Sequence, residues 1–341
     1  MAAQNSLAGR GVWGAVIGTI LLAVAGTAAA SSVLLWPVAG RPAVASPGGT
    51  IHIALREEGA IGLSRGGEPY SLALALDPSP AGLEGRATLP ESLPPGAYDV
   101  LVDSASGAEL HRNVVYVLPE APVSYTLAIV RGTALLEPGP EGASIAEGVA
   151  ARISAASLVF AVGPFSREGA PVDYAAIRPA LEGASIPVYL CPDISDLRSG
   201  SWPESLGAPV YGVTFGEDGY LVLGPGFAAQ QARSSRWIGP AHRARRALRA
   251  SRWSTGIVTR YGIDWDVRAQ LALFNDDPLD YLVAMSVPPE TGDTAPWGRT
   301  RIVPPAVIPR GAVILLDVGP VSIRLQQPSP ASPTPPPAEA P

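Results

Sequence analysis

The chain has 341 residues, enough for one or two domains, and its 37 glycines and 37 prolines predict many turns and short strands. The formal net charge of −6 argues against a nucleic-acid-binding role for the whole protein. All 24 basic residues are arginine, and the single cysteine, Cys191, excludes an intrachain disulfide.

The first predicted element is an uncharged apolar stretch, residues 12–37, which follows a short N-terminal segment, residues 1–11. It exceeds the ~20 apolar residues that a membrane helix needs. On a helix, Trp13 and Trp36 would lie ~34 Å apart, a spacing that suits the two membrane interfaces. We therefore predict a single-pass membrane protein whose bulk is extracytoplasmic. A cleaved signal peptide ending near Ala28–Ala30 is the alternative.

Between residues 45 and 118, short apolar runs are separated by Gly, Pro and Ser turns, and several alternate apolar with polar residues. The predicted strands are Ile51–Leu55, Tyr70–Leu76, Ala97–Ser104 and Val114–Leu118. We predict an all-β sandwich, immunoglobulin-like in architecture, that acts as a spacer or docking module because it holds no catalytic constellation.

After a proline-containing linker, strands and helices alternate over residues 124–322, which predicts a layered α/β domain. The predicted helices are Ile145–Ala156, Asp173–Ala184, Trp237–Ala250 and Val267–Phe274. The predicted strands include Tyr125–Val130, Ser157–Gly163 and Ile186–Cys191. Residues 323–341 are rich in proline and poor in apolar side chains, so we expect a disordered tail.

Five loops follow predicted strands of this domain. They read Arg131-Gly132-Thr133, Gly163-Pro164, Pro192-Asp193-Ile194-Ser195-Asp196, Thr259-Arg260 and Ala284-Met285-Ser286-Val287. The order of elements resembles the calcineurin-like metallophosphoesterase family, whose corresponding loops carry D-x-H, G-D, G-N-H-D/E, a lone H and G-H-x-H. The resemblance implies a four-layer α/β/β/α domain whose two metals clamp the oxygens of a phosphate ester.

Nearly all of the family's metal ligands are missing here. Asp196 is the only match to a ligand position, and His52, His111 and His242 lie away from the five loops. The other positions of the degenerate site are Arg131, Thr133, Pro164, Asp193, Ser195, Arg260, Met285 and Val287. We therefore expect no metal cofactor and a pseudoenzyme that acts in binding or scaffolding.

Two alternatives stay open. One is a divergent phosphoesterase that hydrolyses phosphomonoesters or phosphodiesters with a divalent metal such as Mn, Fe or Zn. Its rebuilt or one-metal site would use Asp193, Asp196 and Asp264. The other is a structural component of the cell envelope.

Individual residues at the degenerate site have a functional and a structural interpretation. Asp196 is either a leftover metal ligand or, as we favour, a carboxylate that caps a turn or pairs with an arginine. Arg131 and Arg260 could form an anion-binding pocket, because guanidinium groups grip phosphate in a bidentate fork. We favour the alternative that they neutralise nearby acids. Met285 and Val287 are expected to fill space as core side chains.

A second cluster of arginines falls on the predicted helix Trp237–Ala250 and just beyond it. The cluster consists of Arg243, Arg245, Arg246, Arg249 and Arg252. Apolar residues recur at helical spacing, so we expect one face to pack on the domain and the arginines to be solvated. An acidic surface polymer, anionic lipid or a protein partner could bind them, whereas nucleic acid is not expected.

Overall fold

The computed structural model describes residues 32–132, 153–166, 171–198, 200–224, 238–259, 278–284, 300–303 and 313–326. The predicted helix Val267–Phe274, most of the predicted helix Ile145–Ala156, the apolar run up to residue 31 and the tail after residue 326 lie outside the described residues.

Nine strands form a β-sandwich at the N-terminal side. They are β1 (Leu34–Trp36), β2 (Ala43–Ala45), β3 (Thr50–Leu55), β4 (Gly59–Arg65), β5 (Glu68–Ser71), β6 (Ala73–Ser79), β7 (Gly82–Thr88), β8 (Gly96–Ser104) and β9 (Gly107–Val117). One sheet has the order β1-β3-β7-β6 and the other the order β2-β9-β8-β4-β5. Alternating apolar residues of the two sheets face each other and form a shared core that includes Ile53, Leu63 and Val100.

The start of the sandwich corrects the predicted membrane segment. Strand β1 pairs with β3, so residues 34–36 belong to the sandwich and not to a helix that runs to residue 37. The indole nitrogen of Trp36 donates to the carbonyl of Arg41 at 2.9 Å, and the Arg41 guanidinium lies 5.2 Å from the Trp36 ring centroid. Trp36 therefore packs within the protein instead of anchoring a helix at a membrane interface. No helix among the described residues is long and apolar enough to cross a membrane.

The turn before β8 is fixed by a tyrosine hydroxyl. Tyr98 is fully buried near the start of β8, and its hydroxyl donates to the carbonyl of Pro94, four residues upstream, at 2.5 Å. Its ring also lies against Tyr70 at 5.7 Å between ring centroids. The hydrogen bond holds the chain as it turns from the Pro-rich loop into the core strand.

Replacing Tyr98 with phenylalanine should lower the free energy of unfolding by about 1 kcal/mol, because it removes one partly buried hydrogen bond and leaves the packing intact. Chemical denaturation of the full chain measures this change. Tyr70→Phe is the matched control, and its change in the free energy of unfolding should be less than half of the change caused by Tyr98→Phe. Equal effects of the two substitutions would contradict a special role for the Tyr98 hydroxyl.

The second domain contains the remaining elements. Its strands are β10 (Tyr125–Arg131), β11 (Leu158–Val162), β12 (Val188–Cys191), β13 (Val210–Phe215), β14 (Asp218–Leu223), β15 (Ser254–Val258), β16 (Tyr281–Ala284), β17 (Arg301–Val303), β18 (Val313–Val318) and β19 (Ile323–Leu325). Its described helices are α1 (Pro171–Glu182), α2 (Trp202–Leu206) and α3 (Ile238–Ala247). Strand β19 lies in the stretch that the sequence assigns to the disordered tail.

The described residues of this domain form four layers. The sheets have the orders β12-β11-β10-β18-β19 and β13-β14-β15-β16-β17, and each mixes parallel and antiparallel pairs. They face each other through a core that includes Phe160, Tyr220 and Leu316. Helices α1 and α2 cover the outer face of the first sheet, and α3 packs against β13 and β14 of the second. This arrangement agrees with the predicted α/β/β/α layering.

A backbone hydrogen bond and a stacked arginine join the two domains. The amide of Leu190, on β12, donates to the carbonyl of Gly40 at 2.8 Å. Gly40 has φ +81°, and a Cβ there would lie 2.4 Å from the Leu190 side chain, so both the turn and the close approach require glycine. The guanidinium of Arg41 stacks between the rings of Trp36 and Tyr211, at 5.2 and 4.9 Å from their centroids.

Candidate functional site

The carboxyl ends of the parallel strands meet at one edge of the second domain. Arg131 on β10 pairs with Val162 on β11, which in turn pairs with Cys191 on β12. In the facing sheet, the end of β14 reaches the same edge, because a Cβ added to Gly224 would lie 3.1 Å from the ring of Pro192. Ligands of open parallel sheets bind at such edges, so this edge is the candidate site.

Asp196 lies at the centre of this edge and is completely buried. Its Oδ1 accepts the backbone amides of Phe165 and Ser166 at 2.8 and 2.9 Å, and its Oδ2 accepts the amide of Asp193 at 2.7 Å. The carboxylate thus joins the loop after β11 to the loop after β12. A carboxylate has about four lone-pair positions, so three of them are occupied by the protein itself.

The surroundings of Asp196 also shift the pKa of its carboxyl and restrict the space around it. Burial raises the pKa of its carboxyl to about 6, although the three amide hydrogen bonds favour the ionised form. A Cβ added to Gly163 would lie 2.4 Å from Oδ2 of Asp196 and 2.6 Å from the amide nitrogen of Asp193. Gly163 is therefore needed to let the two loops approach. The hydroxyl of Tyr174, on α1, donates to the carbonyl of Asp196 and closes the turn from behind.

The neighbours of Asp196 add little that could bind a metal. Oδ1 of Asp193 accepts the amide of Ile194 at 2.7 Å and so shapes the turn. The ring of Pro164 has no atom that could bind a metal, and the Ser195 hydroxyl is buried without a hydrogen-bond partner in the described part of the chain. Among the described residues there is no group of three or more His, Cys, Asp or Glu that could hold a metal ion. The residues that can be described at this edge do not fit a two-metal centre.

The three histidines lie elsewhere. His52 lies against the Trp36 ring in a tilted arrangement, at 4.7 Å between centroids, within the sandwich. His111, on β9, lies 2.9 Å from the carboxylate of Glu109. His242 lies on α3 and is partly buried. All three are therefore on elements that do not end at the candidate edge.

Arg131 is at the edge, at the end of β10, and is half-buried. Its guanidinium makes no hydrogen bond or ion pair to another residue of the described ranges, and the carboxylate of Asp196 is bound by amides instead. Arg260, Thr133, Met285 and Val287 lie outside the described residues, as does Asp264. The hypothesis that Arg131 and Arg260 form one anion pocket, and the favoured interpretation that they neutralise nearby acids, therefore both stay predictions.

The basic helix differs from its prediction at Arg249 and Arg245. Helix α3 ends at Ala247, so Arg249 follows it, whereas Arg252 lies beyond the helix as expected. Arg245 is buried, 6% exposed, and donates to the carbonyl of Pro278 at 2.8 Å. The exposed members of the cluster are Arg243, Arg246 and Arg249.

Arg252 belongs to a buried polar cluster that the sequence did not indicate. Its Nε and Nη2 donate to the two oxygens of Asp218 at 2.9 and 2.7 Å, and Asp218 is only 1% exposed. The hydroxyl of Tyr125 donates to Asp218 at 2.8 Å and also contacts the hydroxyl of Tyr220. Burial, together with these two neighbours, raises the pKa of Tyr125, which keeps it a donor. The cluster lies at the start of β10 and β14, away from the candidate edge.

Comparison with known proteins gives no family. No protein-family model matches the chain, and no curated protein matches it. A purple acid phosphatase from yellow lupin (Lupinus luteus) seeds is similar over 69% of this chain and 55% of its own, with 9% identity and a TM-score of 0.38. SGBP-B of the Bacteroides ovatus mixed-linkage glucan utilization locus covers 26% of this chain and 22% of its own, with 18% identity and a TM-score of 0.18. The chain thus spans about half the length of the phosphatase, and TM-scores this low carry no argument about function.

Proposed function

We propose that this is a membrane-anchored, extracytoplasmic binding or scaffold protein, built from an immunoglobulin-like sandwich and a catalytically inactive metallophosphoesterase-like domain. The observation that carries the proposal is the bonding of Asp196. The single residue that matches a ligand of the family pattern is buried, and its carboxylate accepts hydrogen bonds from three backbone amides. Its role is to hold two loops together.

The strand order supports the immunoglobulin-like assignment of the sandwich. The sheet β1-β3-β7-β6 corresponds in chain order to strands A, B, E and D of that fold. The strands β9-β8-β4-β5 correspond to G, F, C and C′. Tyr98 then stands near the start of strand F and bonds back to Pro94, as the tyrosine corner of such domains does.

The membrane anchor rests on the apolar residues that precede the sandwich. With β1 assigned to the sandwich, the uncharged stretch that remains is residues 12–31. Its length is close to the ~20 residues that span the ~30 Å hydrocarbon core of a bilayer.

The exposed arginines Arg243, Arg246 and Arg249 form the surface that we assign to an acidic partner, because guanidinium groups bind carboxylate and phosphate.

Metal content tests the loss of catalysis. The full chain, purified in detergent without a histidine tag, is incubated with Mn, Fe or Zn, desalted and analysed by elemental mass spectrometry. We expect metal close to zero per chain and no hydrolysis of a chromogenic phosphodiester. Metal close to two equivalents per chain would overturn the proposal and favour the divergent phosphoesterase.

A further inference from the structure

A cavity of about 60 Å³ lies between the sandwich and the second domain. Its wall includes three arginines from three separate elements: Arg56 follows β3, Arg112 lies on β9 and Arg178 lies on α1. Glu182 is the carboxylate that shares this wall. The formal charge of these four side chains is therefore positive. None of these arginines belongs to the candidate edge or to the arginine cluster on and just after α3.

The walls of the cavity are held in place from both domains. The side-chain amide of Asn113, next to Arg112, donates to the carbonyl of Glu182, and the hydroxyl of Tyr116 donates to the carbonyl of Ala184 at 3.0 Å. These bonds fasten β9 to the end of α1, the helix that carries Arg178. The distance between the backbone segments that carry Arg112 and Arg178 is thus fixed by direct hydrogen bonds.

The charged groups beside the cavity are already bound to neighbours. The carboxylate of Glu109 accepts the amide of Val33 at 2.9 Å and lies 2.9 Å from the His111 imidazole. Although burial opposes it, hydrogen bonds from His111, Val33 and Ser32 lower the pKa of Glu109 to about 2. The Nε of Arg56 donates to the carbonyl of Ser32 at 3.2 Å. This bond does not use the two terminal nitrogens of the guanidinium.

We propose that this interdomain cavity binds a phosphate group between Arg56, Arg112 and Arg178. Guanidinium groups bind oxyanions through two parallel N–H donors, so several arginines around a small cavity suit a tetrahedral anion. The cavity volume suits the phosphate group itself, and any larger part of a ligand would lie outside the cavity.

The position of the cavity suggests the source of the phosphate. Ser32 lies on its wall, so the segment that precedes residue 32 in the sequence is covalently attached to the chain at this point. If that segment contains the anchor of the proposed function, the cavity lies at the height of lipid headgroups, where arginines attract anionic lipid. Only this source of the phosphate rests on the proposed function; the site itself does not.

Calorimetric titration of the full chain in detergent tests the site with two soluble probes. One is inorganic phosphate, and the other is glycerophosphoglycerol, the phosphodiester headgroup of phosphatidylglycerol. We expect at least one probe to bind, and we expect Arg56→Gln and Arg112→Gln each to weaken it about tenfold, a loss near 1.4 kcal/mol. Stronger binding of glycerophosphoglycerol identifies a lipid headgroup, and stronger binding of inorganic phosphate identifies a free anion.

Arg86→Gln is the matched control, because Arg86 is an exposed arginine of the same domain on β7, outside the cavity wall. It should bind both probes as the unmodified chain does. Arg112→Glu serves as a second variant, and we expect it to keep the fold because Arg112 is exposed. Absence of binding by both probes, or equal affinity in the unmodified chain and the Arg112→Glu variant, would overturn the site whether or not the chain is anchored in a membrane.

Discussion

Replacing Asp196 with alanine should lower the free energy of unfolding by about 4 kcal/mol. The substitution leaves the amides of Phe165, Ser166 and Asp193 buried without an acceptor, and each unsatisfied buried donor costs about 1–3 kcal/mol. It also unties the loops after β11 and β12. Chemical denaturation of the full chain measures the loss.

Two comparisons separate this structural role from metal binding. Asp196→Asn keeps one oxygen but presents an NH₂ group to an amide donor, so it should lose about half as much stability as the alanine variant. Asp77→Ala, at an exposed aspartate on β6, should change stability by less than ~0.5 kcal/mol. A chelator should leave the unmodified chain as stable as before. A fall in stability on chelation would show that Asp196 acts through a metal.

Replacing Arg252 with alanine should cost about 3 kcal/mol of stability, because it leaves the Asp218 carboxylate buried without its cation. The Arg252–Asp218 pair is bidentate, and the hydroxyl of Tyr125 alone cannot balance a buried charge. The loss is measured by denaturation at neutral pH, where an aspartate is ionised when exposed.

Adding Asp218→Asn to Arg252→Ala should recover part of the loss, since the amide oxygen still accepts from Tyr125 and no charge remains buried. Arg243→Ala, at an exposed arginine on α3, is the control and should be nearly neutral. Equal effects of Arg252→Ala and Arg243→Ala would restore the original interpretation of Arg252 as a solvated surface residue.

Local patterns predicted most of the elements that form the sheets. Apolar runs such as Tyr125–Val130 carry their own period and their own turn residues, so the sequence alone indicates them, and β10 confirms this one. Strand β7 was missed because its sequence, GLEGRAT, is polar and contains two glycines. Strand β1 was missed for the opposite reason: its residues, LLW, continue the apolar run before them without a break.

The candidate site shows the limit of sequence reasoning more clearly. The position of Asp196 could be found from its place after a buried strand, and the preference for a turn-capping role agrees with its amide partners. Phe165 and Ser166, however, are 31 and 30 residues away, and no local pattern marks a backbone donor. Arg252 and Asp218 are 34 residues apart. The sequence therefore did not show that one arginine of the arginine-rich stretch pairs with a distant aspartate.

The hydrogen bond between Leu190 and Gly40 has a consequence for how the chain can be divided. Strand β12 is the outermost of the described strands in its sheet, and the turn before β2 contacts part of its outer backbone. A bare strand edge is a template for pairing with other copies, which leads to aggregation. A fragment cut at the linker would lose this cover and expose the edge of β12. The sandwich therefore helps to keep the second domain soluble by covering this strand edge, and the two domains are best expressed together in one chain.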